Sequence, residues 1–177
     1  MSEAERAVCE FEWEKLGDLE TGRPSLGMST SVRAYRLMHF AIQHVLACEF
    51  GAVRAEDLVR RAGHVAGVHW CRNTLDLSLG LNDFVAQLQR VLRDERIGIL
   101  RVERLDAEHL GMTLTVAEDL ECSGLPMGEA TVCFYDEGFI AGILEGYTGL
   151  TFEARETDCW ATGGRVCRFE VKLRGTE

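Results

Sequence analysis

Apolar residues recur at helical spacing from Val32 to Phe50, at Val32, Tyr35, Leu37, Met38, Ala41, Ile42, Val45, Leu46 and Phe50. Ser29 or Thr30 offers an N-cap oxygen and Gly51 a stop, so the pattern predicts a helix over 29–50. A second helix is predicted over 55–71, with Leu58, Val59, Ala62, Val65, Ala66 and Val68 on one face and Glu56 and Asp57 in its first turn, where the helix dipole favours acids. Gly63 and Gly67, four apart, would weaken an exposed helix and therefore predict close approach of another backbone. A third helix, capped by Asn82 and running to Asp94, turns Phe84, Val85, Leu88, Val91 and Leu92 inward. Alternation over 99–105 and 112–117, across a turn at 106–111, reads as a hairpin. Residues 119–128, with Cys122 and Pro126, form a connecting loop. A fourth helix is predicted over 129–147, again with two glycines four apart, Gly138 and Gly142, and Gly149 as its stop. The last hairpin spans 150–159 and 166–173, with Phe152, Ala154, Phe169 and Val171 facing inward. Three helices, hairpin, helix, hairpin make an α+β fold: two layers, a four-stranded antiparallel sheet with about four helices on one face.

Composition narrows the class. At 177 residues, 46% of them hydrophobic and two of them proline, the chain is an ordinary globular one. That length buries about 70% of the unfolded surface in one domain. Residues 28–177 are assigned to that domain and 1–27 to an acidic arm, with seven acids in its first twenty positions. A short helix at 4–16 in the arm would carry Phe11, Trp13 and Leu16 to dock. The formal net charge of −10 argues against a nucleic-acid footprint, which needs a basic face to displace counterions. No run of 18 apolar residues suggests a membrane span, and Met-Ser-Glu-Ala-Glu-Arg does not read as a signal sequence, so the expected location is the cytoplasm. Seven cysteines without a dense framework fit reduced thiols there.

The candidate chemistry lies between Cys133 and Cys167. Cys159 and Cys167 stand eight apart around Gly163-Gly164, the pattern of a hairpin with thiols near its tip. Glu156 precedes Cys159 by three, and Cys133 opens an apolar segment upstream. Folding could bring three thiolates and one carboxylate onto one divalent ion, a set that suits tetrahedral zinc. The same spacing is equally compatible with a buried helical Cys133 and a reduced cross-strand pair. His64, His69, Trp70 and Cys71 supply no oriented nucleophile–base pair. Neither a phosphate-binding glycine loop nor a Gly-x-Ser-x-Gly elbow occurs.

The pattern Cys133, Gly138-Phe139, Gly142-Ile143-Leu144-Glu145, Glu156-x-x-Cys159, Gly163-x-x-x-Cys167-x-Phe169 resembles the 4-vinyl reductase domain, a bacterial and archaeal ligand-binding module also found as the sensor of aromatic-responsive transcription activators. The tight match covers about the last 45 residues. The resemblance implies a structural zinc on Cys133, Glu156, Cys159 and Cys167, with no open coordination position. It implies a sheet covered on one face by helices, a fold shared with vesicle-trafficking (TRAPP) subunits, and a homodimer formed through the helices. It also implies a small hydrophobic ligand between sheet and helices. Transferred by element position, the walls would be Trp70, Leu77, Phe84, Leu88, Leu110, Met112, Phe139 and Ile143. Phe84 and Met112 fall where the phenol sensors use a His and a Trp, which favours a larger or wholly apolar molecule. The function implied is a non-enzymatic sensor or carrier, with a partner protein to receive its signal. The alternatives are a tetrapyrrole vinyl reductase or accessory protein of (bacterio)chlorophyll metabolism, for which no hydride-cofactor site is visible, and an interaction subunit with a filled cavity.

Overall fold

The computed structural model describes residues 10–106 and 111–175. The main elements are α1 (Val32–Phe50), α2 (Ala52–Thr74), α3 (Leu81–Asp94), β1 (Ile99–Asp106), β2 (Gly111–Ala117), α4 (Phe134–Thr148), β3 (Phe152–Asp158) and β4 (Cys167–Leu173). The four strands form one antiparallel sheet in the order β1-β2-β4-β3. Each hairpin thus pairs with itself, and β2 and β4 join the two. The α+β class, the single four-stranded sheet and the order of elements are as the hydrophobic pattern predicts.

Local chemistry sets the ends of these elements. Ser31, and neither Ser29 nor Thr30, caps α1: its hydroxyl oxygen accepts from the Ala34 N–H at 3.1 Å. Gly51, at φ 79, ends α1 and lets α2 begin at Ala52, earlier than the spacing implied. α4 starts at Phe134 instead of Glu129. The segment before it is committed elsewhere: the Gly128 N–H donates to the Ala161 carbonyl at 2.6 Å, and the Cys133 N–H to Glu156 Oε2 at 3.1 Å. In the arm, residues 4–9 lie outside the described residues, and 13–16 make a single 3-10 turn. Phe11 meets His69 edge-on at 4.9 Å, and Trp13 packs against the main core, while Leu16 stays exposed.

The inner face of the sheet presents Leu100, Leu114, Val116, Phe169, Val171, Phe152 and Ala154, all buried. α4 lies on this face and is buried from Glu137 to Leu144. α2 crosses α4 from the other side, and here the two glycine pairs meet. A Cβ at Gly63 or Gly67 would run into the α4 carbonyls of Tyr135 and Phe139. One at Gly138 or Gly142 would run into the α2 carbonyls of Arg60 and His64. Each pair is required by the other, because the helices touch backbone to backbone with no side-chain layer between them.

Polar links reinforce the crossing. Buried Glu137 accepts from Arg60 Nε at 2.6 Å and from the Glu156 backbone N–H at 2.9 Å, tying α2, α4 and β3 together. On the outer face Arg168 of β4 reaches across β2 to Glu103 at 3.0 Å and also pairs with Asp158. No helix of the described residues is long and apolar enough to cross a membrane.

Gly138→Ala should lower stability by about 3 kcal/mol or more, because the added methyl meets a carbonyl oxygen that cannot yield. Gly80→Ala, with open space at its Cβ, should change stability by less than about 0.5 kcal/mol. Denaturant titrations of the two variants beside the parent measure both.

Candidate functional site: a thiol cluster beside an apolar cavity

Four buried sulfurs come together from four places in the chain: Cys122 in the loop after β2, Cys133 at the N-cap of α4, Cys159 after β3, and Cys167 at the start of β4. All four Sγ atoms lie within 4.8 Å of one another. Cys133 stands 3.8 Å from Cys159 and 3.8 Å from Cys167, and Cys122 lies 3.0 Å from Cys167. Four thiolates at about 2.3 Å from one zinc would be separated by roughly 3.8 Å, so the set fits a tetrahedral soft-metal site. Mutual hydrogen bonding already favours a shared negative charge. The Cys159 thiol is pulled far down by its bonds with Cys122, Cys133 and Cys167, while Cys133 and Cys167 are pushed up, each first by its bond with Cys122.

Three of these sulfurs belong to the set expected from sequence; the fourth, Cys122, falls in what the sequence reads as a connecting loop. Glu156 lies alongside the four-sulfur group. Its Oε2 accepts from the Cys133 N–H, its Oε1 is buried without a partner, and burial pushes its carboxyl up to about 8. The loop holding Cys122 is built for that purpose. Asp119 Oδ1 accepts from the Glu121 and Cys122 N–H groups at 2.8 and 2.9 Å, closing a tight turn. The Arg36 guanidinium of α1 donates to the carbonyls of Leu120 and Ser123, both at 2.8 Å. Spacing gave no hint of Cys122; the one available signal was an Asp three residues before a Cys, in the arrangement that closes such turns.

Next to the sulfurs is a cavity of about 210 Å³ between the sheet and helices α3 and α4. Its walls are Phe84, Leu88 and Leu92 from α3, Leu100 and Val102 from β1, Met112, Leu114 and Val116 from β2, and Phe139, Ile140, Ile143 and Leu144 from α4. Phe84 is fixed by stacking on Tyr147 at 3.7 Å, whose hydroxyl donates to the Leu79 carbonyl. Phe84, Leu88, Met112, Phe139 and Ile143 thus line it, as the element order implied. Trp70 and Leu77 are not among the lining residues. Trp70 packs on the Phe139 ring at 5.4 Å and donates its indole N–H to Glu95, and Leu77 sits in the turn after α2, 38% exposed. Leu110 lies outside the described residues.

The polar side chains among the lining residues are Asn82, Asp119 and Asp136. Asp119 and Asp136 lie at the thiol end, where each offers a carboxylate oxygen close to Cys133 Sγ. Glu121 joins them: it is 1% exposed and takes a 2.9 Å hydrogen bond from His39, which is itself bonded to Gln43. Burial pushes all three carboxyls above the ordinary range, Asp136 most strongly, with the charges of Asp119 and Glu121 adding to the effect. His39, which the sequence placed as a packed or surface residue, is part of this buried network.

Residues 112–173 match the model of the vinyl-4-reductase domain family. The matched segment runs from β2 through β4 and includes all four clustered thiols, and it confirms the family resemblance carried by the cysteine motif. Two uncharacterized proteins of Methanocaldococcus jannaschii are each 28% identical to the chain, over 99 and 102 residues. The matches cover 56% and 58% of this chain, and the chain spans 58% of the length of each relative. Among solved structures, the phenol-responsive sensory domain of the transcription activator PoxR, with phenol, aligns with a TM-score of 0.63 at 19% identity, over 82% of this chain and 76% of that one. A vinyl-4-reductase family protein from Methanocaldococcus jannaschii aligns at 0.59 and 15% identity, over 84% and 85%. Subunit 3 of a trafficking protein particle complex from Naegleria fowleri, covalently bound to palmitic acid, aligns at 0.65 and 11%, over 81% and 95%. At these identities the three structures establish the shared fold.

Proposed function

We propose that the chain is a non-enzymatic binding module for a small hydrophobic or aromatic molecule, acting as sensor or carrier. The enclosed apolar cavity carries this reading. It is larger than the engineered apolar cavity of about 150 Å³ that takes up benzene, and so has room for a substituted ring or a short alkyl chain. The family match and the likeness to a sensory domain solved with phenol support the same reading. Replacement of Ile143 by Trp should fill the cavity, lowering the affinity for a solvatochromic aromatic dye at least tenfold, about 1.4 kcal/mol, without unfolding the chain. Dye fluorescence titrations measure it, and unchanged affinity would show that the dye binds elsewhere.

The thiol cluster is proposed to hold a structural zinc. Four soft ligands leave no open position for catalysis, so the ion would tie the 119–128 loop, the start of α4 and the tip of the β3–β4 hairpin together. Four reduced thiols also suit a reducing compartment such as the cytoplasm. Cys122→Ser and Cys133→Ser should lose the metal and several kcal/mol of stability, whereas Glu156→Gln should keep one zinc per chain, as counted by native mass spectrometry. Retention by Cys122→Ser with loss by Glu156→Gln would instead make the carboxylate the fourth ligand.

A second copy of the chain is proposed to cover α1. None of its residues is buried, and Leu37, Met38, Ile42 and Val45 are 73%, 60%, 54% and 57% exposed. This apolar stripe holds no acid to bring the chain's excess negative charge into a self-contact. Leu37→Asp together with Ile42→Asp should give a monomer in sedimentation velocity where the parent sediments as a dimer.

A further inference from the structure

The cavity's thiol end is far more acidic than an apolar binding site requires. Three carboxyls, Asp119, Glu121 and Asp136, cluster there within a wall that is otherwise almost wholly hydrocarbon. His39 answers Glu121 at 2.9 Å, and two backbone N–H groups answer Asp119. Asp136 is different: it lines the cavity, and its Oδ2 is buried with no hydrogen-bond partner. Glu121 Oε2 is likewise buried and unpartnered. An orphaned carboxylate oxygen in an apolar enclosure is costly unless something brings it a donor.

Position adds a second constraint. Asp136 and Phe139 are three apart on α4, so a carboxylate and an aromatic ring border the same space. A carboxylate for charge and a ring face for a diffuse cation is the pairing that ammonium groups favour. Carboxylates accept and do not donate when ionised, so this end repels an anionic head and gives an ether or ketone nothing to bond.

We propose that the molecule taken into the cavity carries a cationic, donor-rich head, a primary ammonium or an amidinium, held by Asp136 with Asp119 beside it, its apolar body lying between α3, α4 and the sheet. The inference rests on the small-molecule reading of the cavity and specifies the chemical class of its occupant.

A matched series on the full chain separates the two claims. Isothermal titration calorimetry with 2-phenylethylamine, 2-phenylethanol, ethylbenzene and 3-phenylpropionate keeps the ring and changes only the head. The amine should bind at least about tenfold tighter than the alcohol or hydrocarbon, and the carboxylate weakest of all. Asp136→Asn should remove the amine's advantage while leaving ethylbenzene affinity within about twofold, which also reports that the variant is folded. Should that variant fail to fold, Asp119→Asn should reduce the same amine-to-ethylbenzene ratio. Equal binding of amine and alcohol, or a preference for amine that survives in both variants, would overturn the proposal and leave the apolar-cavity reading standing. Binding of none of the four would overturn both. Displacement of the amine by a divalent cation at stoichiometric concentration would assign the carboxyls to a metal and overturn the proposal alone.

Discussion

Four sulfur atoms that cannot all be neutral, separate and buried at close range organise this molecule. They come from a loop, a helix start and both strands of a hairpin, so satisfying them fixes where α4 begins and how the β3–β4 hairpin meets it. The fixing is reinforced from outside. Arg36 clamps the loop carbonyls, and Glu137 joins Arg60 to the backbone of Glu156, which in turn receives the Cys133 N–H. These polar supports surround the sulfurs and place each thiol on a braced segment, the arrangement on which a metal centre depends.

The cavity follows from the same constraint. α4 is anchored at its N-terminus by Cys133 and at its C-terminal end by Tyr147, whose ring stacks on Phe84 and whose hydroxyl reaches Leu79. Between these anchors its inward residues cannot drop onto β1 and β2, and a space remains against Leu100, Met112 and Val116. Dispersion favours closing such a gap, so its persistence reflects a frame held from both ends.

Much of the architecture was legible because it depends on periodicity. Helical spacing located α1 to α3, alternation located the hairpins, and the two glycine pairs announced a contact that turned out to be with each other. Cys133, Cys159 and Cys167 were legible because they sit at element ends, where spacing converts into position. Cys122 was not, because its place depends on an Asp119 turn and on Arg36 from 84 residues upstream of Leu120. The same reason hid the acidic end of the cavity: Asp119, Glu121 and Asp136 lie on a loop and a helix start that share no repeat. Trp70 illustrates the opposite error. Its ring fits a wall by size, but the indole N–H needs an acceptor, and Glu95 turns it away from the cavity.

The bare crossing of α2 and α4 has a mechanical meaning. One side of α4 faces the space that an occupant would fill, and the other rests directly on α2 through Gly63, Gly67, Gly138 and Gly142. Side chains absorb a push by changing rotamer; a backbone pressed on a backbone has no such slack. Whatever displaces α4 by a fraction of an ångström must therefore carry α2 along with it, so a filled and an empty interior would differ on the outside of the helical layer as well as within it.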